Sequence, residues 1–302
     1  MKKIQNSLSI SYLFLIMFFA LCTFNGYAQV IQKETTTIPF NLQDNRIYLQ
    51  IQLLDENIDV FLDNGAPKIM FTPAIIEKFF TSLPDSLICQ TFPKCPGLKD
   101  YEKRVILGIG DYDLILDTIR CCSDRMLTLS AELFERKIVH LDFVNETVTL
   151  SNALPDDIAT YIAIDMSFQK HENRFGIIQH YFLIHIPDFK NSFEQNIPLV
   201  FHVDLGAKGS FVPDKTIKKV DYKKFINDTT LISYLFSSEK MFNRPKMTMV
   251  YADGGKVGSN FPQEEAFDYF DGWLGTDILK RFHHVIFDYQ GKKFYVKTLN
   301  EK

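Results

Sequence analysis

The sequence predicts a mostly β protein built as two matched lobes, with a few short helices. Three observations lead there. First, the segments RIYLQIQLL, DVFLD, RVILGIG, YDLILDTI, KIVHLDF and ETVTLSN are rich in β-branched and aromatic residues and are broken by Asn, Gly and Asp. Second, long helical periodicity is scarce: PAIIEKFFTSL and DKTIKKVDYKKFI are the best stretches with apolar residues at three- and four-residue spacing. Third, the two halves can be laid over each other. IPF at Ile38 faces MSF at Met166, IYLQIQ at Ile47 faces YFLIHI at Tyr181, VFLDNGA faces FHVDLGA, and LFERKIVHLDFVNETVTL from Leu133 faces ILKRFHHVIFDYQGKKFYV from Ile278. Asp63 and Asp204 are 141 positions apart (204 − 63), and Asp142 and Asp288 are 146 apart (288 − 142). Four blocks in one order at similar offsets mark an internal duplication.

This divides the chain into a leader over 1–28, an N-terminal lobe over 29–155 and a C-terminal lobe over 156–302. The boundary falls in NALPDDIATY, residues 152–161, which carries the proline and paired acids of a connector. The leader reads as a secretory signal: Lys2 and Lys3, the apolar run YLFLIMFFALCTF, then a small-x-small site at Gly26-Tyr27-Ala28. The apolar run is short for a membrane span and no second one follows, so the expectation is an exported protein, periplasmic, secreted or held in the cell envelope. Lipid attachment at Cys22 is the alternative, against which stands the bulky Leu21 before it.

The net charge is −4, and removing the two leader lysines makes it −6. There is no basic stripe, so neither nucleic acid nor an anionic membrane is an expected partner. Four cysteines remain after the leader: Cys89, Cys95, Cys121 and Cys122. In an oxidising compartment an even count suggests one or two disulfides, between the 89/95 region and the 121/122 region, with connectivity open. Their spacing fits no common zinc pattern, and no metal is expected. The chain has no phosphate-binding glycine loop, no HExxH and no Gly-x-Ser-x-Gly.

The repeated element with chemical content is Asp-x-Gly-Ala, at Asp63-Asn64-Gly65-Ala66 and Asp204-Leu205-Gly206-Ala207. A carboxylate at the end of an apolar strand, followed by Gly, sits on a turn where backbone can approach closely. One such turn is ordinary structure. Two related by a pseudo-two-fold axis would meet, and two touching carboxylates share a proton. The ionised one can then draw a proton from water while the protonated one donates to a carbonyl oxygen, which is general acid–base hydrolysis of an amide. His202 lies two residues before Asp204 on the same strand face, where packing or a hydrogen bond explains it.

These residues resemble the aspartic protease families, retropepsin-like and pepsin-like, in their two-lobed single-chain exported form. The family motif, apolar-apolar-Asp-Thr/Ser-Gly-Ala/Ser, is matched at FLDNGA and HVDLGA, and the resemblance covers essentially the whole mature chain. It implies a catalytic pair, Asp63 and Asp204, supported by Asn64, Gly65, Ala66, Leu205, Gly206 and Ala207. It also implies a peptide in a cleft between the lobes, and no cofactor. Trp273-Leu274-Gly275 matches the apolar-apolar-Gly piece that threads behind the catalytic turn; the first half has MLTLSAELF there, without the glycine. A hairpin flap is implied too, with two stretches to supply it: 106–114 with Gly108, Gly110 and Tyr112, and 250–258 with Tyr251, Gly254 and Gly255.

The departures bear on activity. The family's Thr or Ser after the aspartate bonds across to the other lobe; Asn64 can do this in part with its amide, and the Leu205 side chain cannot. Pro67 and Lys208 stand where a supporting hydroxyl is common, and a lysine so near Asp204 would be expected to depress its pKa. The reading is therefore an aspartic endopeptidase. The alternative is a weak or inactive protease-fold protein that binds peptide or a partner, with a purely structural envelope protein as a third reading.

Overall fold

The matched blocks of the sequence fall on paired strands in both halves. The computed structural model describes residues 35–80, 83–92, 97–122, 127–172, 177–190, 195–212, 216, 248–250 and 270–297. The leader with Cys22, Cys95, the helix expected over 214–226 and the stretch with Tyr251, Gly254 and Gly255 lie wholly or almost wholly outside the described residues.

The first half runs β1 (Thr35–Gln43), β2 (Arg46–Leu53), β3 (Glu56–Leu62), β4 (Met70–Phe71), α1 (Pro73–Phe80), β5 (Ile88–Thr91), β6 (Leu98–Ile109), β7 (Tyr112–Cys122), β8 (Thr128–Leu129), α2 (Ala131–Arg136), β9 (Ile138–Asp142) and β10 (Thr147–Ser151). The second runs β11 (Ile162–Glu172), β12 (Ile178–Lys190), β13 (Asn196–Val203), β14 (Ser210–Val212), β15 (Thr248–Val250), β16 (Gly272–Leu274), α3 (Thr276–Leu279), β17 (His284–Asp288) and β18 (Lys293–Lys297). The protein is mostly β, as the residue pattern predicts.

Alternation places the core. In β1 the residues Thr36, Ile38 and Phe40 point inward, and in β2 Ile47, Leu49, Ile51 and Leu53 do so, while their neighbours are more exposed. The turn between these strands is Asp44-Asn45, both at positive φ, a conformation those two residue types tolerate well. Helix α1 begins at Pro73: the Thr72 hydroxyl accepts the Ile75 N–H (3.2 Å), and Pro73 opens the first turn.

The halves join through one continuous set of strands. β1 pairs with β10, β10 with β9, β9 with β17, β17 with β18 and β18 with β11. The repeat sets β1 against β11, β10 against β18 and β9 against β17, so this arrangement is symmetric about the β9–β17 contact. There His284 faces Asp142 and Ile286 faces His140. Above it the core is shared: Phe134 packs edge-on against Phe182 (5.7 Å) and Phe287 (5.2 Å) of the other half.

Two short strands thread the turns that matter. β8 lies parallel to β3 and antiparallel to β4. β16 lies parallel to β13 and antiparallel to β14. Trp273 and Leu274 therefore run between β13 and β14. A Cβ on Gly275 would fall 2.6 Å from the Ala207 carbonyl oxygen and 2.7 Å from that of Gly209, so only glycine fits. In the first half Ser130 takes this place, and its hydroxyl caps α2 by accepting the Glu132 N–H (3.3 Å).

Candidate active site

Asp63 follows the last residue of β3, and Asp204 follows the last residue of β13. Both turns are built by equivalent backbone bonds. The Asp63 N–H donates to Leu129 O (2.8 Å) and the Asp204 N–H to Leu274 O (2.9 Å). The Ala131 N–H reaches Ala66 O (2.9 Å) and the Thr276 N–H reaches Ala207 O (3.0 Å). The Gly65 N–H donates to Asp63 Oδ1 (2.9 Å) and the Gly206 N–H to Asp204 Oδ1 (2.7 Å). Asp63 Oδ1 also accepts the Ala66 N–H (3.1 Å).

The two turns meet face to face. A Cβ on Gly206 would fall 2.4 Å from the Asp63 carboxyl carbon, and one on Gly65 would fall 3.2 Å from that of Asp204. Each glycine is thus the bed on which the opposite carboxyl lies. Both aspartates are more than nine-tenths buried. Burial first, and the Asp63 charge second, push the Asp204 carboxyl well above the usual carboxylate range. Two buried carboxyls in contact cannot both ionise cheaply, so the pair shares one proton.

Asn64 locks the pair. Its Nδ2 donates to Val203 O (2.8 Å) and its Oδ1 accepts the Leu205 N–H (2.7 Å), so one buried side chain brackets Asp204 from both sides. The Leu205 side chain adds no polar bond but is fully buried in the core, and its carbonyl accepts from the Thr276 hydroxyl (3.1 Å). The polar crossing between the two turns is thus made by the Asn64 side chain.

Lys208 departs from expectation. Its ammonium reaches Asp44 Oδ2 (3.3 Å) in the β1–β2 turn, and the pKa of Asp204 is raised rather than depressed. The donor to Asp204 is a residue whose side chain sequence reasoning did not use: Trp273, whose indole Nε1–H bonds Oδ2 at 3.1 Å. The signal was available in its place one residue before Leu274, the residue whose carbonyl accepts the Asp204 N–H. Pro67 follows Ala66 and leads to Lys68, whose ammonium bonds buried Asp100 (3.0 Å).

His202 is buried beside this group. Its Nδ1 lies 3.2 Å from Phe182 O, an acceptor, so Nδ1 carries the proton; Nε2 stands 4.0 Å from Asp204 Oδ2. Its ring packs edge-on against Trp273 (4.5 Å) and Tyr181 (4.9 Å). Desolvation pushes its pKa from 6.5 down to about 3. A group with a depressed folded pKa that is buried neutral contributes stability above its unfolded pKa, and loses it as pH falls toward the folded value. Unfolding free energy should therefore fall as the pH drops from about 6.5 to about 3. In His202→Asn, whose amide can still donate to Phe182 O, urea titrations at stepped pH should lose this dependence.

The stretch 106–114 is the turn end of the β6–β7 hairpin, and it lies away from the dyad. Gln52 pairs with both Gly108 and Asn57, and Asn57 is six residues, about 20 Å of strand, before Asp63. Gly110, at φ +59°, packs on Thr36 and Ile38, and Tyr112 is buried beneath the Lys137 ammonium (4.6 Å). At the level of the dyad the row runs Phe61, Thr128, Met70, Arg120, Asp100, Gln90 across β3, β8, β4, β7, β6 and β5. The hairpin standing there is β5–β6.

Among the described cysteines, Cys89, Cys121 and Cys122 are free thiols. Cys89 lies on β5 and Cys121 on β7, with β6 between them. Among the described residues, no three His, Cys, Asp or Glu side chains converge to hold a metal, and no helix is long and apolar enough to cross a membrane.

No protein-family model matches the chain, and no curated protein matches it. Among solved structures, it is similar to an aspartic proteinase from Irpex lacteus (12% identity, 88% of this chain and 98% of that one, TM-score 0.48). It is also similar to a retropepsin-like aspartic protease from Rickettsia conorii (18% identity, 38% and 88%, TM-score 0.30). A third is conglutin gamma, a basic 7S globulin from lupine seeds (8% identity, 88% and 95%, TM-score 0.49).

Proposed function

We propose that this chain is an exported endopeptidase of the aspartic type, with Asp63 and Asp204 as its catalytic residues. The observation that carries the reading is the contact of two buried carboxyls on equivalent turns, one of which retains its proton. A water held between them loses a proton to Asp63 as its oxygen attacks the peptide carbonyl carbon. Asp204 gives its proton to the carbonyl oxygen, yielding a neutral tetrahedral diol. Collapse returns a hydroxyl proton to Asp204, Asp63 passes its proton to the amide nitrogen, and the C–N bond breaks. Atoms and charges balance without a cofactor. An extended peptide between the halves is the substrate this chemistry fits.

The sign of the pH dependence follows from Asp204. The acid must be protonated, so turnover falls as pH rises through its raised pKa, and activity extends above the ordinary carboxylate range. The test is incubation of the mature chain from Gln29 with an unstructured peptide pool from acidic to neutral pH, beside Asp63→Asn and Asp204→Asn. Cleavage by the parent should drop by at least roughly 1,000-fold in both variants, a loss of about 4 kcal/mol of transition-state stabilisation. No cleavage by the parent at any pH, or cleavage that survives both substitutions, refutes the reading. Absence of cleavage with peptide binding retained in all three proteins would make the chain a binding protein.

A further inference from the structure

We propose that Trp273, the only tryptophan of the chain, is the positioning residue of Asp204: its indole N–H fixes Oδ2 so that the acidic proton is presented to Asp63 and the cleft, and its emission follows the ionisation of the pair. The inference rests on the dyad reading above and deepens it by naming what orients the acid.

The two oxygens of Asp204 are held by different donors. Oδ1 accepts the Gly206 N–H at 2.7 Å and Oδ2 accepts the indole N–H at 3.1 Å. An indole nitrogen only donates, so this bond persists whether Asp204 is charged or neutral, and the proton is kept off that side of Oδ2. One donor on each oxygen fixes the plane of the carboxyl, because rotation about χ2 breaks both bonds. The indole itself cannot drift. Its backbone is paired on both sides, with His202 of β13 and Phe211 of β14, and its ring sits among His202 (4.5 Å), Phe270 (5.8 Å) and Tyr181 (6.5 Å).

The equivalent place in the first half holds a different residue. The residue of β8 equivalent to Trp273 is Thr128, one position before the Leu129 carbonyl that receives the Asp63 N–H. The backbone donors to Asp63, from Gly65 and Ala66, both go to Oδ1. The asymmetry places the tryptophan donor on the Asp204 carboxyl. His202 does not compete for the role, since its proton is on Nδ1 facing Phe182 O. Among the described residues, the titratable groups around the indole include His202 and Asp204 on β13, Tyr181 on β12, Asp63 across the dyad, and Asp271 two residues earlier, whose Oδ2 accepts the Val200 N–H.

Tryptophan emission of the mature chain, recorded without substrate from pH 4 to 8, tests this directly. Loss of the Asp204 proton puts a full charge 3.1 Å from the indole nitrogen, so a single transition is expected above the ordinary carboxylate range. It should vanish in Asp204→Asn. In Asp63→Asn it should move to lower pH, because the neighbouring charge that holds the proton on Asp204 is gone. Trp273→Phe should lower kcat roughly tenfold with little change in KM, and shift the alkaline limb of kcat upward, since a donor favouring the charged form has been removed. No transition, or one unchanged in Asp204→Asn, overturns the proposal. An unmoved alkaline limb in Trp273→Phe does so as well. The emission titration needs no turnover: a chain that shows the transition but cuts no peptide refutes the protease and leaves this inference standing.

Discussion

Asn64→Ala should unfold at markedly lower urea, with a loss of about 2–5 kcal/mol. Asn64 is fully buried and makes two bonds to the other half, to Val203 O and from the Leu205 N–H, at 2.8 and 2.7 Å. Alanine removes both and leaves a donor and an acceptor unpaired in a dry interface, at roughly 1–3 kcal/mol for each. The same change frees the Asp204 turn, so activity should fall along with stability. Asn64→Thr is the informative companion. A hydroxyl both donates and accepts, so Thr can satisfy the carbonyl and the N–H together and should retain more than half of the lost stability. Leucine at the same place fills the volume but bonds neither group, and it should behave like alanine. A midpoint for Asn64→Ala equal to that of the parent would show that water or a backbone shift replaces both bonds.

The second large effect is expected behind the β5–β6 hairpin. Arg120 grips Asp100 with two bonds, Nε to Oδ1 at 2.7 Å and Nη2 to Oδ2 at 3.0 Å, with Asp100 wholly buried. Its guanidinium also lies over Phe92 (4.9 Å). Arg120→Met keeps the apolar volume and removes the fork, leaving a buried carboxylate with Lys68 as its cation. Breaking a buried pair from one side costs up to about 3–5 kcal/mol, and here Lys68 alone must hold the buried charge. Asp100→Leu combined with Arg120→Met should recover most of that loss, since neither charge then needs solvating. A double-mutant cycle in urea gives the answer, and equal destabilisation of the single and double variants would rule out a stranded charge as the cause.

The fold was legible because its signals are local or repeated. β-branched and aromatic runs broken by Asn, Gly and Asp mark the strands, apolar spacing in PAIIEKFFTSL marks a helix, and the order of four blocks marks the duplication that pairs Asp63 with Asp204. The site's support was less legible, because each supporting side chain answers to a partner far away in the chain. Lys208 is four residues from Asp204, yet its ammonium belongs to Asp44, 164 positions off. Trp273 lies 69 positions from the carboxyl it bonds. Composition marks it as a bulky strand residue, and only the threading of β16 beside β13 turns its N–H toward Asp204. Asn64 was read as a partial substitute for a hydroxyl, whereas its two-ended amide serves both sides of the opposite turn. The stretch 106–114 is one of two that the resemblance offers as a flap, and it is the turn end of the β6–β7 hairpin. What a strand pattern does not encode is which end of a long strand lies at the dyad.

The lock at Asn64 has a consequence for how the halves can be combined. Two copies of the C-terminal half, set against each other in this geometry, would confront leucine with leucine, and neither could reach the opposing Leu205 N–H or Val203 carbonyl. In the observed pairing one asparagine makes the polar crossing while the leucine opposite it fills the core, so the two halves play different parts at their contact.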